Sequence, residues 1–351
     1  MKLIAGTDKG LLVYSQENNG WKLADIHFIG LPIGAFHQDV KGQWWVAINH
    51  KHWGTKLYRS ADQGESFKEI PAPKFAKGTH SLKSVWTIES RLTEGKLELF
   101  IGVEPAAIFV SKDNGDSFSE LSGLSEHPSR ETWQGGGKGS KSPFLHSILF
   151  HPEKPNQLMV GISCAGVFQS DDFGNSWQAT NSGLKSFFLP DSTIDVGHDP
   201  HSMLRHPKNP DVIWQQNHCG IYRSLDDGHT WADVSDPNEK AVYGFDLVID
   251  ETDIDTAWVI PAQSDDLRIP HNTELAVYKT VNAGQSWQPL TKGLPPKGSF
   301  DLVLRDGFDK RGQVMVFGTN NGNLYTSSDL GENWQAISQS LSAVRVVKLL
   351  G

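Results

Sequence analysis

Along this chain, short apolar runs alternate with clusters of Gly, Pro, Asn and Asp, and no stretch sustains a helical period. One segment displays the pattern in full. "HSILFHP" (His146–Pro152) reads as a strand, "PEKPNQ" as a turn, "LMVGIS" (Leu158–Ser163) as a second strand and "GVFQS" (Gly166–Ser170) as a third. A polar turn and "WQAT" (Trp177–Thr180) complete the unit. The same order returns in "HSMLRHPKNPDVIWQQNHCGIYRS" (His201–Ser224) and in "FDLVLRDGFDKRGQVMVFGTNNGNLYTS" (Phe300–Ser327). The runs are β-branched or aromatic and end in turn formers, so each unit predicts four short strands.

The polar turn is itself a repeat. "YRSADQGESF" ends at Phe67, "FVSKDNGDSF" at Phe118, "FQSDDFGNSW" at Trp177 and "YRSLDDGHTW" at Trp231. "YKTVNAGQSW" ends at Trp287 and "YTSSDLGENW" at Trp334. A degenerate copy, "YSQENNGW", ends at Trp21 with Asn18 in the glycine slot. The spacing of about 46 to 59 residues is that of propeller blades. An isolated four-stranded sheet cannot bury both faces, so seven such sheets stacked about an axis are expected. The fold expected is therefore all-β: a single seven-bladed β-propeller domain over residues 1–351, built of four-stranded antiparallel blades. The chain starts at a second-strand sequence, "KLIAGT", and finishes on a first-strand sequence, "SAVRVVKLL". The C-terminal strand is thus expected to close the first blade, pairing Val344–Leu349 with Lys2–Gly6 and removing an open edge.

In the S-x-D-x-G-x-x-W turn, the aspartate accepts backbone N–H groups and the serine adds a local bond. Glycine supplies the left-handed backbone, and the aromatic packs over the hairpin. Six turns of one chemistry are staples rather than six active sites.

These turns resemble the Asp-boxes of bacterial neuraminidase (BNR) repeat proteins in the sialidase-like, glycosyl-hydrolase-like β-propeller superfamily. The matching positions are Ser60, Asp62, Gly64 and Phe67; Ser111, Asp113, Gly115 and Phe118; and Ser170, Asp172, Gly174 and Trp177. They continue with Ser224, Asp226, Gly228 and Trp231, and with Ser327, Asp329, Gly331 and Trp334; Thr280 and Asn282 replace serine and aspartate in the fifth copy. More distantly the chain is similar to sortilin-type and photosystem-assembly propellers. The resemblance implies the fold across essentially the whole chain, and a superfamily that holds both glycosidases and binding proteins.

Net charge is −9, which argues against a nucleic-acid footprint. No window reaches the roughly 18 apolar residues of a spanning helix, and the start is a poor secretory signal. No membrane association and a cytoplasmic location are therefore the expectation. Cys164 and Cys219 form no disulfide framework and read as small buried residues.

Alternate turns of a meander lie on opposite faces, so the connections between second and third strands and between blades form a face opposite the repeated turns. Function is expected there, at the channel mouth. His50, His52, His146, His201 and His218, with His198 beside them, point toward it. Such a ring would take a divalent metal, with Glu104 or Asp199 as carboxylate ligands. A glycosidase needs two carboxyls about 5 to 10 Å apart. Candidates are Glu104, Glu131, Asp191, Asp195, Asp265 and Asp266, of which Glu104 is the sharpest catalytic candidate because it sits in a short turn between apolar strands. Trp53 and Trp133 suit sugar faces. "LRIP" (Leu267–Pro270) echoes the arginine-isoleucine-proline signature of sialidases but stands before the fifth clear box rather than the first, and Arg268 joins the ligand-binding candidates. Of the tyrosines, only Tyr243 lies away from a third strand. "GGGKGSKS" (Gly135–Ser142) lacks the strand-to-helix context of a phosphate loop and reads as a lid-like loop offering Lys138 or Lys141 to an anion.

Three readings follow. The first is a glycosyl-hydrolase-like or glycan- or small-molecule-binding propeller; the second is a non-enzymatic protein-interaction scaffold. The third is a metal-dependent enzyme using the histidines.

Overall fold

The computed structural model describes residues 1–17, 20–136, 142–191 and 194–351. Asn18, Lys138 and Lys141, named above from the sequence, lie outside the described residues. The chain is a seven-bladed β-propeller, with seven four-stranded antiparallel sheets. It divides into two compact units: Met1–Gly30, Ser182–Thr193 and His201–Gly351 make one; Leu31–Asn181 and Ile194–Pro200 make the other.

The larger unit holds the first, fifth, sixth and seventh blades. In the first, Val344–Leu350 pairs antiparallel with Lys2–Thr7, from Lys2 opposite Leu350 to Thr7 opposite Val344. The C-terminal strand thus completes the N-terminal sheet, as the pattern of the ends predicts. The other three begin at Pro200–Arg205, Gly244–Ile249 and Phe308–Arg311. The smaller unit holds three blades, beginning at Ile33–Gln38, Ser84–Thr93 and Leu145–Phe150.

Within each unit, apolar side chains of neighbouring sheets interdigitate. Trp45, Ala47 and Leu57 of the second blade pack with Val85, Ile101 and Phe109 of the third. In the larger unit Trp258 and Val277 pack with Phe317 and Trp334. Alternation along each strand thus fills both faces of a sheet, which is why second and third strands such as Leu158–Ile162 and Gly166–Ser170 are buried throughout.

The repeated turns have the bonding expected of them. Ser170 Oγ accepts the Gly174 N–H at 2.8 Å and donates to Asp172 at 2.8 Å, and Asp172 accepts the Ser176 N–H at 2.8 Å. Ser60, Ser111, Ser224, Thr280 and Ser327 accept the equivalent glycine N–H. These bonds hold the Asp62 carboxyl at about 2, through Ser60 first and then Ser66, and Asp113 at about 2 through Ser117 and then Ser111. One feature differs from expectation. The residue before each glycine is also left-handed: Gln63, Asn114, Phe173, Asp227, Ala283 and Leu330 all have φ between 57° and 61°. The turn therefore strains a second, non-glycine position.

The lone α-helix among the described residues is Ser122–Ser125. Among the described residues no helix is long and apolar enough to cross a membrane.

Candidate functional site

In the larger unit, connections from the fifth and sixth blades gather an aromatic and imidazole cluster. His201 lies near the start of Pro200–Arg205, and His218 lies in the turn between Ile213–Asn217 and Gly220–Ser224. Their ring centroids are 5.6 Å apart and the planes nearly perpendicular. His201 stacks on Phe245 at 4.8 Å, whereas His218 meets Tyr243 edge-on at 5.3 Å and Phe188 at 4.9 Å. Because the Gly244 carbonyl only accepts, the 2.6 Å contact from His201 Nδ1 fixes the proton there. The neutral ring then carries its lone pair on Nε2, as a base or a metal ligand requires.

Charge surrounds the same rings. The Arg268 and Arg305 guanidiniums lie 5.3 and 5.5 Å from the Phe245 centroid. Asp265 accepts Tyr243 Oη at 3.1 Å and Arg268 Nε at 3.0 Å. Burial works against the Asp265 charge, but Arg268 and Tyr243 outweigh it and hold the carboxyl below its ordinary value. Burial raises the Tyr243 phenol well above its own, and Arg268 opposes this only in part. Tyr243 is therefore a protonated donor at neutral pH, not a poised nucleophile.

The same unit also carries acids on its first strands or just ahead of them. Asp246 accepts Ser202 Oγ at 2.8 Å and the Phe308 N–H at 3.0 Å, and so links three blades. Burial, reinforced by the charge of Asp306, pushes it up to about 7. Asp306 and Asp309 are raised as well, chiefly by burial, with Lys348 opposing.

In the smaller unit the predicted residues have separate partners and form no single group. Around the turn after Trp44–His50, His50 stacks on the exposed Trp53 at 4.3 Å, with His52 5.9 Å away. His50 Nδ1 accepts the His52 and Trp53 N–H groups, both at 3.1 Å, so it shapes its own turn. His146 is buried on Leu145–Phe150, with Nδ1 2.9 Å from Ser147 Oγ. Its neighbour Phe144 stacks on Trp86 at 3.8 Å. Glu104 is buried at the end of Lys96–Glu104 and accepts Lys83 Nζ at 3.5 Å, Ser84 Oγ at 3.3 Å and Ser142 Oγ at 3.1 Å. Those are the partners of a carboxylate that ties strands together. Asp199 is engaged similarly, accepting Ser163 Oγ and the Cys164 N–H, and His198 Nε2 donates to the Ile194 carbonyl at 2.9 Å. Glu131 and Asp195 are exposed. Trp133 packs against Phe168 in the core between blades rather than presenting a sugar platform. Cys164 and Cys219 are half-buried turn residues, not core thiols, because each occupies the tight corner between two strands.

Sequence reasoning singled out His201, His218, Tyr243 and Arg268 but missed Phe188, Phe245 and Arg305, and Trp86 in the smaller unit. Tyr243 and Phe245 are two apart at a strand start and so share a face, a signal available in the sequence.

The sequence matches no family model, and no curated protein matches it. Solved structures similar to it include a GH74 enzyme from Niastella koreensis (12% identity, TM-score 0.59, covering 98% of this chain and 65% of that one). YCF48 bound to D1 peptide is another (14%, TM-score 0.56, 92% and 87%). A third is a putative 6-phosphogluconolactonase from Bacteroides fragilis (10%, TM-score 0.57, 100% and 98%). At these identities the likeness is one of fold. The chain spans about two thirds of the GH74 enzyme's length.

Proposed function

We infer that this is a hydrolase-like, ligand-binding propeller of the Asp-box type that takes a glycan or related small polar molecule at the His201–His218–Tyr243 cluster. The observation that carries this reading is the cluster itself. Stacked and edge-on rings offer flat apolar contact, while Tyr243, the imidazoles and Arg268 supply hydrogen bonds at their edges. The five serine–glycine turns and the threonine–glycine turn at Thr280 support the Asp-box assignment, and the likeness of fold to a GH74 enzyme and a putative 6-phosphogluconolactonase supports the ligand class.

Calorimetric titration with glucose, galactose, glucuronate and 6-phosphogluconate tests it. At least one sugar should bind, and H218A and R268A should each weaken that binding about tenfold, the cost of about 1.4 kcal/mol. Binding indifferent to both substitutions would remove the cluster as the site. A second reading, a docking site for a peptide, is favoured by exposed Phe187, Phe188 and Leu267, which adjoin the cluster. The similar fold of YCF48 bound to D1 peptide gives it a precedent.

A further inference from the structure

Two first strands of the smaller unit bring a serine, a histidine and a glutamate together. His37 lies on Ile33–Gln38, Glu89 and Ser90 lie on Ser84–Thr93, and the two strands pack side by side. Ser90 Oγ is 2.7 Å from His37 Nε2. Glu89 Oε2 is 3.7 Å from the other ring nitrogen, Nδ1. One imidazole thus faces a hydroxyl on one edge and a carboxylate on the other. That is the arrangement in which a ring removes a hydroxyl proton while a carboxylate steadies the resulting cation.

The group is reachable by solvent. The His37 side chain is 16% exposed, that of Glu89 40%, and Ser90 is half-buried. Both strands are the outermost members of their sheets. Strand backbone also fixes these side chains more firmly than a loop would.

We propose that Ser90, His37 and Glu89 form a nucleophilic site for small esters. Ser90 Oγ attacks the ester carbonyl carbon as its proton passes to His37 Nε2, and Glu89 positions the ring and balances its charge. The carbon–oxygen bond to the alcohol then breaks, and the departing oxygen takes the proton from His37. Water attacks the acyl-serine by the same proton route, releasing the acid and restoring the serine.

A fluorophosphonate probe tests the site without knowledge of the natural ester. Attack by Ser90 forms the oxygen–phosphorus bond and expels fluoride. Peptide mass spectrometry of the full chain should find the adduct on Ser90 and none there in S90A. Labelling of H37Q should be at least tenfold slower. E89Q should slow it and E89D restore it, a rescue that a purely structural carboxylate would not give. A wild-type chain left unmodified at Ser90, or an H37Q chain labelled at the wild-type rate, would overturn the proposal. In the first case the serine–histidine bond merely ties two sheets.

Discussion

Asp246 illustrates how a single side chain acquires a property its sequence position does not reveal. It stands in an apolar strand, "GFDLVI", where burial and the Asp306 charge favour its neutral form up to about 7. An unfolded aspartate ionises near 3.9. With the folded value raised, the contribution to stability is complete below the unfolded value and is lost as pH rises through about 7. The wild-type chain should therefore lose stability between pH 4 and 7, by up to about 1.4 kcal/mol per unit from this group. D246N should flatten that slope and be the more stable protein at pH 8. Urea unfolding across pH measures both, and equal slopes in the two proteins would show that Asp246 does not titrate in this range. Glu104 is the opposite case. The sequence placed it in a short turn, whereas it ends the strand Lys96–Glu104 just before that turn, and Lys83 and Ser142, distant in sequence, engage its carboxylate.

At the scale of elements, the repeated turn was nearly complete in the sequence because its bonds are local, spanning two to four residues. The left-handed residue ahead of each glycine was not, since only Asn114 and Asp227 among the six are of types that favour that conformation. The serine is the decisive atom of the motif. Ser170 is 1% exposed, and its loss strands the buried Gly174 N–H. S170A should destabilise by about 1 to 3 kcal/mol. Gly64 is constrained twice, by φ +98° and by Trp44, whose ring would lie 2.4 Å from an added Cβ. G64A should lower the denaturation midpoint, whereas G42A, at an equally left-handed but open position, should cost less. Chemical denaturation of the pair separates packing from backbone strain; equal losses would assign the whole effect to the backbone.

For the whole molecule, the pairing of Val344–Leu350 with Lys2–Thr7 joins the two ends of the chain in one sheet. Removing residues 344–351 would bare Leu3, Ile4 and Ala5, all fully buried, along an open strand edge. The truncated chain should aggregate on size-exclusion chromatography, and a stable monomer would show that the first blade does not need its last strand. By itself the sequence determined the blade number, the strand order and this closure, because periodic burial and local turn chemistry repeat within each unit. Only the tertiary structure decided that His201, His218, Tyr243, Phe245 and Arg268 meet, and that Ser90 meets His37. Those encounters depend on how neighbouring sheets pack, and the alternating pattern of a strand fixes which face a side chain takes but not the partner that face will find.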